Sequence, residues 1–311
     1  MDPVDLSIVV PLFNEAESLE ELYSRVTRVL RDAGLIYEIL FVDDGSTDTS
    51  FPTLEKLHGN DPRVRAIRLR RNYGKSAALS TGFKYARGRY IVTLDADLQD
   101  DPREIPRLLA KLEEGFDLVS GWKWPRKDPL SKRLPSRILN ALTAWLTGVQ
   151  IHDVNCGLKA YRRCVIEEVD IYGEQYRFIP ILAHWRGFKV GEVKVTHHPR
   201  RFGKSKFGPA RFLAGIFDLI TVLFLNRYMK KPLHFFGLAG GILFLMGFGI
   251  TGYLGVGWFF GRWIGDRPLF PLGILLLILG IQFISTGLIG EMLTKFNQKE
   301  KEYSIHRRLG C

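Results

Sequence analysis

The chain alternates short apolar runs with amphipathic stretches over its first 120 residues, and then becomes almost wholly apolar near its C-terminus. Leu6-Ser-Ile-Val-Val-Pro11, Tyr37-Glu-Ile-Leu-Phe-Val42 and Tyr90-Ile-Val-Thr-Leu94 are near-continuous apolar runs, the pattern of strands buried on both faces. A further strand is expected at 64–69 and another at 117–120. Between them lie segments with apolar residues at helical spacing, such as Leu19, Leu22, Val26, Val29 and Leu30, with Asn14 as the expected N-cap and Gly34 as the stop. Other helices are expected at 50–58, from the Gly74 region to about 86, and at 103–114. Strands alternating with helices of this length predict an α/β domain with a parallel sheet covered on both sides.

The hydrophilic residues gather at the C-terminal ends of those strands. Pro11 to Glu15 follows the first strand, Asp43-Asp44-Gly45-Ser46-Thr47-Asp48 the second, and Asp95-Ala96-Asp97-Leu98-Gln99 the run from Tyr90. Open α/β sheets bind ligands at that edge. Two aspartates at i and i+2, with Gln99 as a third oxygen donor, suit one hard cation, Mg2+ or Mn2+, shared with substrate phosphates. The competing reading is a solvated acidic turn capping the helix after Pro102. Asp43 and Asp44 are placed to receive base N–H and ribose hydroxyl groups, and Asp48 either does the same or caps the next helix. Lys75 follows Gly74 at an expected helix N-terminus, a site suited to a diphosphate. No GxGxxG follows the first strand, which excludes a dinucleotide-type Rossmann domain.

Composition narrows the setting. The net charge of +11 asks for an anionic partner: nucleic acid, a phosphorylated substrate or an acidic membrane surface. The strand-edge motifs select the last two and leave no role for nucleic acid. Cys156, Cys164 and Cys311 are scattered, without zinc spacing or a disulfide framework. The start Met1-Asp-Pro-Val-Asp lacks a basic region, so it is not expected to be a signal peptide. The glycines Gly247, Gly249, Gly252, Gly255 and Gly257 lie in an apolar stretch and read as helix packing, which opens a route to a homo-oligomer.

Taken together, Val9-Val-Pro-Leu-Phe-Asn-Glu15, Val42-Asp-Asp-Gly-Ser-Thr-Asp48, Asn72-Tyr-Gly-Lys-Ser-Ala-Ala-Leu79, Asp95-Ala-Asp-Leu-Gln-Asp-Asp-Pro102, Asn155-Cys-Gly-Leu-Lys-Ala-Tyr-Arg-Arg163 and Arg200-Arg-Phe-Gly-Lys-Ser-Lys206 resemble family 2 glycosyltransferases of the GT-A fold. Within them the chain is similar to the polyprenyl-phosphate glycosyltransferases, the dolichol-phosphate-mannose-synthase-like group. The resemblance implies a Rossmann-like, mostly parallel sheet followed by interfacial helices and two transmembrane helices. It implies nucleotide contacts from Pro11, Glu15, Asp44 and Lys75, with Asp95 at the ribose or diphosphate and Asp97 with Gln99 on the metal. The candidate nucleotide-sugar set is then Pro11, Asn14, Glu15, Asp43, Asp44, Asp48, Lys75 and Asp95; the catalytic set is Asp95, Asp97 and Lys75; the metal set is Asp97, Gln99 and Asp95. The reaction so implied is inverting transfer of one sugar from a nucleotide-diphosphate sugar, UDP-glucose-like or GDP-mannose-like, to a polyprenyl phosphate.

One departure is informative. Family 2 enzymes that glycosylate hydroxyls carry a Glu-Asp base motif and a Gln/Arg-x-x-Arg-Trp motif, and neither stands in residues 120–210. An alcohol needs a base; a phosphate monoester is already largely ionised at pH 7. Cations then carry the acceptor. Lys123, Arg126, Lys127, Lys132, Arg133 and Arg137 form one cluster and Arg200, Lys204 and Lys206 another; Arg126, Arg133, Ser136, Arg200 and Lys206 are the acceptor-phosphate candidates by the family likeness. His152, His184, His197 and His198 are expected to be structural.

The expected organisation is a cytoplasmic catalytic domain over 1–206, amphipathic interfacial helices over 207–231, a two-helix transmembrane hairpin over 232–293 and a basic tail over 294–311. Basic residues flank both outer ends of the hairpin, while its loop has Arg262 and Arg267 alone, so both termini are expected in the cytoplasm. The rival readings are a processive membrane polysaccharide synthase, against which two spans and the missing base motif count, and a non-catalytic membrane scaffold, against which the intact Asp95, Asp97 and Gln99 count.

Overall fold

A computed structural model describes residues 4–124, 140, 142–171, 173, 175–199, 217–219, 221–224, 232–261, 263–264 and 267–296. The chain forms two compact units that divide between Leu219 and Ile220.

The first unit is built on a seven-stranded sheet. Its strands are β1 (Leu6–Leu12), β2 (Tyr37–Asp43), β3 (Val64–Arg68), β4 (Tyr90–Thr93), β5 (Leu118–Lys123), β6 (Lys159–Arg162) and β7 (Val190–Val195), in the spatial order β3-β2-β1-β4-β6-β5-β7. β1, β2, β3 and β4 pair in parallel, as do β5 and β7, while β6 runs against both β4 and β5. The sheet is therefore mostly parallel, as the family resemblance implies, with β6 the one reversed strand. Because β6 alone is reversed, the C-terminal ends of all other strands and the N-terminal end of β6 share one edge.

The chain winds outward from β1 through β2 to β3, then returns to place β4 on the other side of β1. That reversal opens a crevice between the ends of β1 and β4, where ligands bind in such sheets. Helices α1 (Ala16–Asp32), α2 (Ser50–Asn60), α3 (Lys75–Tyr85) and α4 (Ile105–Glu113) make the crossovers. Every residue of β1, β2 and β4 is buried, as their unbroken apolar runs require. The α1 stripe Leu19, Leu22, Val26 and Leu30 is buried in the same core as Ile8, Val10, Ile39 and Phe41. Fully burying a side chain of this kind contributes about 1.5–3 kcal/mol, so register and helix orientation are strongly specified.

Two sequence expectations change. α1 begins at Ala16, its N-cap position is Glu15, and the Glu15 side chain does not cap it. Asn14 instead takes a positive φ of 56° and ties its loop to the next one. β5 runs on to Lys123, so that lysine is a partly buried strand residue rather than a member of the basic segment after it.

The second unit holds two 28-residue helices, Pro232–Phe259 and Leu269–Phe296. Both are long and apolar enough to cross a bilayer. They pack through glycine. A Cβ on Gly240 would lie 2.6 Å from the Gly280 carbonyl oxygen, and one on Gly247 would lie 2.7 Å from that of Gly273. Gly249, Gly252 and Gly255 have open space around them, so of the apolar glycine cluster only some members serve the hairpin.

Candidate active site

The loops after β1 and β2 form one laced unit. Asn14 Oδ1 accepts from the Thr47 N–H at 2.8 Å, and the Asn14 N–H donates to Ser46 Oγ at 2.9 Å. Asp48 accepts from the first helical N–H of α1, that of Ala16, at 3.3 Å and from the Ser50 N–H of α2 at 3.0 Å. Burial works to raise the Asp48 pKa, but the Ser50 and Ala16 donors outweigh it and hold the carboxyl below its ordinary value. One aspartate thus caps two helix N-termini, and the capping reading of Asp48 is the one its geometry fits.

Asp43 and Asp44 are both buried. Asp43 Oδ1 accepts from the Ser46 N–H at 2.8 Å, and Oδ2 lies 3.4 Å from the Arg68 guanidinium. The two Asp44 oxygens accept from the Tyr73 and Gly74 N–H groups, each at 2.8 Å. Asp44 therefore fixes the turn before α3, where Gly74 has φ 95°. Gly45 has φ 73°, and a Cβ there would lie 2.5 Å from the Arg71 backbone. The Asp-Asp-Gly run so holds the Asn72–Lys75 turn against the end of β2.

That turn delivers Lys75 to the crevice. Its Nζ is 2.5 Å from Asp95 Oδ1 and 5.0 Å from the centre of the Tyr176 ring. About a quarter of the Lys75 side chain and 30% of the Asp95 side chain are exposed, so the pair is reachable from solvent. Burial opposes both charges, yet each outweighs it for the other. The Asp95 charge leads in raising the Lys75 pKa, and the Lys75 charge leads in lowering that of Asp95. Lys123 and Lys159 lower Asp95 further.

Asp97 is 8% exposed, and its Oδ1 accepts from the Gln99 N–H at 3.2 Å, closing a tight turn in which Leu98 has φ 60°. The stretch after β7 fastens this turn from outside. His198 donates its N–H to the Gln99 carbonyl at 2.8 Å, and its Nε2 is 3.0 Å from Asp101 Oδ2. Thr196 donates twice to Glu104. Asp101 also accepts from the Arg103 N–H, so it is Asp101, not Asp95 or Asp97, that caps the helical turn at Pro102. Beneath lies Asp100, 2% exposed and 3.9 Å from Lys123 Nζ; burial pushes its pKa up to about 6, with Asp95 and Asp97 adding to the rise against Lys123.

The donor set fits a hard divalent cation. Asp95, Asp97 and Gln99 offer carboxylate and amide oxygens at one strand end; among the described residues no group of three or more His, Cys, Asp or Glu is gathered as a metal site. An open set of two carboxylates is what Mg2+ or Mn2+ uses when substrate phosphates complete the shell. Gly157 leaves room there: a Cβ on it would lie 2.5 Å from Asp95 Oδ2.

Comparison with known proteins bears on this edge. The model of glycosyl transferase family 2 matches residues 7–170, which takes in all three loops. This chain belongs to that family. It is 41% identical over 303 residues to the dodecaprenyl-phosphate galacturonate synthase of Rhizobium johnstonii, covering 94% of this chain and 90% of that protein. It is 39% identical over 295 residues to the undecaprenyl-phosphate 4-deoxy-4-formamido-L-arabinose transferase of Pseudomonas aeruginosa, covering 94% and 86%. The names of both relatives specify a polyprenyl phosphate. Among solved structures, glucosyl-3-phosphoglycerate synthase of Mycobacterium tuberculosis with Mn2+, UDP and phosphoglyceric acid aligns over 72% of this chain and 78% of that one. The TM-score is 0.57 and the identity 20%, a likeness of fold.

The structure gathers Asn14, Glu15, Asp43, Asp44, Asp48, Lys75, Asp95, Asp97 and Gln99 at one edge, with Pro11 inside β1. Arg126, Arg133, Ser136, Arg200 and Lys206 lie outside the described residues. Sequence reasoning missed Tyr176 and Glu104, because their roles depend on segments about 90–100 residues away in the chain; His198, expected to be structural, ties the turn through Gln99 and Asp101. His152, expected to be structural, stacks on Trp122 at 4.1 Å and pairs with Glu192.

Proposed function

We propose that this glycosyltransferase moves one sugar from a nucleotide-diphosphate sugar to a polyprenyl phosphate, with inversion and with a divalent metal. The acceptor class rests on the two relatives, whose names specify dodecaprenyl and undecaprenyl phosphate. The observation that carries the donor side is the Lys75–Asp95 pair at 2.5 Å, set at the N-terminus of α3, with Asp95 two residues before Asp97. A lysine there serves a diphosphate, because its charge adds to the N–H groups and dipole of the helix start.

In this reading an acceptor phosphate oxygen attacks the anomeric carbon as the bond from that carbon to the diphosphate breaks. The nucleoside diphosphate leaves with the electron pair. Lys75 holds the departing diphosphate by charge and hydrogen bonding, and Asp95 orients Lys75. Asp97, Gln99 and Asp95 would hold Mg2+ or Mn2+, which when bound offsets charge on the leaving group. No protein base is required, since the nucleophile arrives ionised. Arg126, Arg133, Ser136, Arg200 and Lys206 are the proposed acceptor contacts. The proposed organisation is a cytoplasmic domain over 1–206, interfacial helices over 207–231, a hairpin over 232–293 and a basic tail over 294–311.

The test incubates detergent-solubilised protein with Mn2+ or Mg2+, undecaprenyl phosphate and labelled UDP-glucose, UDP-galacturonate or GDP-mannose. A mild-acid-labile glycolipid is the expected product. Polymer would point to a processive synthase, and no product from any donor would overturn the reading. Asp97→Ala should cut turnover at least about a hundredfold with the melting temperature kept; near-normal activity would remove Asp97 from the metal set.

A further inference from the structure

Because β6 is reversed, the turn that feeds it reaches the sheet edge where β4 ends at Thr93, two residues before Asp95. That turn is Asn155-Cys156-Gly157-Leu158, and it meets the catalytic carboxylate directly. A Cβ on Gly157 would lie 2.5 Å from Asp95 Oδ2, 2.6 Å from Cγ and 2.8 Å from Oδ1. All three carboxyl atoms therefore rest against the Gly157 α-carbon. Gly157 is not among the glycines with positive φ. Backbone conformation does not demand glycine here; the space taken by the Asp95 side chain does.

The turn is fixed from three sides. Thr93 Oγ1, two residues before Asp95, donates to the Gly157 carbonyl at 2.8 Å. The Gly121 N–H of β5 donates to the Leu158 carbonyl at 2.9 Å. Lys159 Nζ reaches back to the Cys156 carbonyl. Lys159 is 3% exposed, and among the described residues no carboxylate lies within ion-pair distance of its ammonium. Among the described residues this buried ammonium uses one of its three donors, on a carbonyl, which is costly for stability alone. An apolar side chain on this strand would avoid that cost, so the cation is kept for what it holds.

We propose that the Asn155–Lys159 turn is the positioning element of Asp95, with Gly157 as the seat of the carboxylate and Lys159 as the pin that fixes the seat. Asp95 is then held between Gly157 on one side and Lys75 on the other, so its oxygens face the diphosphate site in one orientation before any ligand arrives. Constellations of this kind need placement to about 0.5 Å, and a displacement of about 1 Å can cost a hundredfold in rate. The inference rests on the donor site proposed above.

The test uses full-length protein in detergent and compares the parent with Gly157→Ala, Lys159→Met and Lys159→Arg. Mn2+-dependent binding of UDP and of GDP is measured by calorimetry without acceptor, beside kcat, donor KM and melting temperature. Gly157→Ala is expected to weaken Mn2+-dependent nucleotide binding at least about tenfold and to lower kcat about a hundredfold, while the protein stays folded. Lys159→Met should shift both in the same direction, and Lys159→Arg should recover part of the loss. If Gly157→Ala does not fold, Thr93→Val, which removes the hydroxyl that holds the Gly157 carbonyl, is read in its place. Parent-like binding and kcat in the seat variant and in Lys159→Met, whatever their melting temperatures, would overturn the inference. A parent that binds Mn2+ and nucleotide but makes no glycolipid would overturn the proposed reaction and leave the comparison among variants decisive. A parent that binds neither nucleotide would overturn both.

Discussion

Asp48 and Asp61 show how an aspartate's partners decide its role. Asp48 accepts from N–H groups at the starts of two helices, so its removal leaves two helix ends short of an acceptor. One N-cap is worth about 1 kcal/mol, and Asp48→Ala should cost about 2 kcal/mol. If capping is its whole task, donor KM stays at the parent value while the melting temperature falls; a large rise in KM with unchanged stability would place it on the nucleotide. Asp61 lies far from the site, bound by Arg63 and by the Tyr23 hydroxyl at 2.8 Å. Burial works to raise its pKa, but Arg63 and Tyr23 hold it at about 2. A depressed folded-state value means the stability it gives is present above the unfolded value near 4 and lost as pH falls towards 2. The shift corresponds to about 2 kcal/mol. Asp61→Asn should therefore melt well below the parent at pH 7, and the two should converge only in melts near or below pH 2. A gap that does not depend on pH would contradict the ion-pair origin.

At the level of elements, legibility followed burial. β1, β2 and β4 are covered on both faces, so their sequences are unbroken apolar runs and could be placed from pattern alone. β6 is Lys159-Ala-Tyr-Arg162, four residues with a charge at each end, and β7 is Val190-Gly-Glu-Val-Lys-Val195, partly exposed along most of its length. Neither carries a pattern of its own; both are strands because β4 and β5 supply hydrogen-bonding edges. The same holds for the site. Asp95, Asp97 and Lys75 were legible because local sequence sets them at a strand end or a helix start. The Gly157 seat and the His198 tie were not, because they exist only once β6 and the end of β7 have docked. Within the hairpin, glycines alike in sequence part company in space. Gly240 and Gly280 face each other's backbones, whereas Gly249 and Gly252 meet nothing within 4 Å. Gly240→Leu with Gly280→Leu should force the helices apart and lower the melting temperature of the hairpin in detergent. Gly249→Leu with Gly252→Leu should leave it near the parent value. Equal effects from the two pairs would show that the glycines act through helix propensity instead of packing.

For the whole molecule, charge and helix length combine into a prediction of orientation. Each apolar helix of 28 residues is about 42 Å long, more than the ~30 Å hydrocarbon layer, so each is long enough to cross with tilt. Two spans joined by a short loop return the chain to the side from which it came. Arg227, Lys230 and Lys231 precede the first helix, Lys295, Lys299, Lys301, Arg307 and Arg308 end or follow the second, and the loop has Arg262 and Arg267. Each basic residue near an anionic cytoplasmic leaflet contributes about 1 kcal/mol, so the difference between the two sides far exceeds thermal energy. The loop should then face outward and the two flanks inward, on the side where nucleotide sugars are made. Cysteine labelling decides this. Cys156 is buried and Cys164 exposed, so a Cys164→Ser background leaves Cys311 to report on the tail. Trp263 is 74% exposed and, as Trp263→Cys, reports on the loop. With a membrane-impermeant maleimide on intact cells, the loop cysteine should label at once and Cys311 only after permeabilisation. The reverse pattern would put the Lys75–Asp95 site on the face opposite to its donor and would overturn the orientation on which the proposed reaction depends.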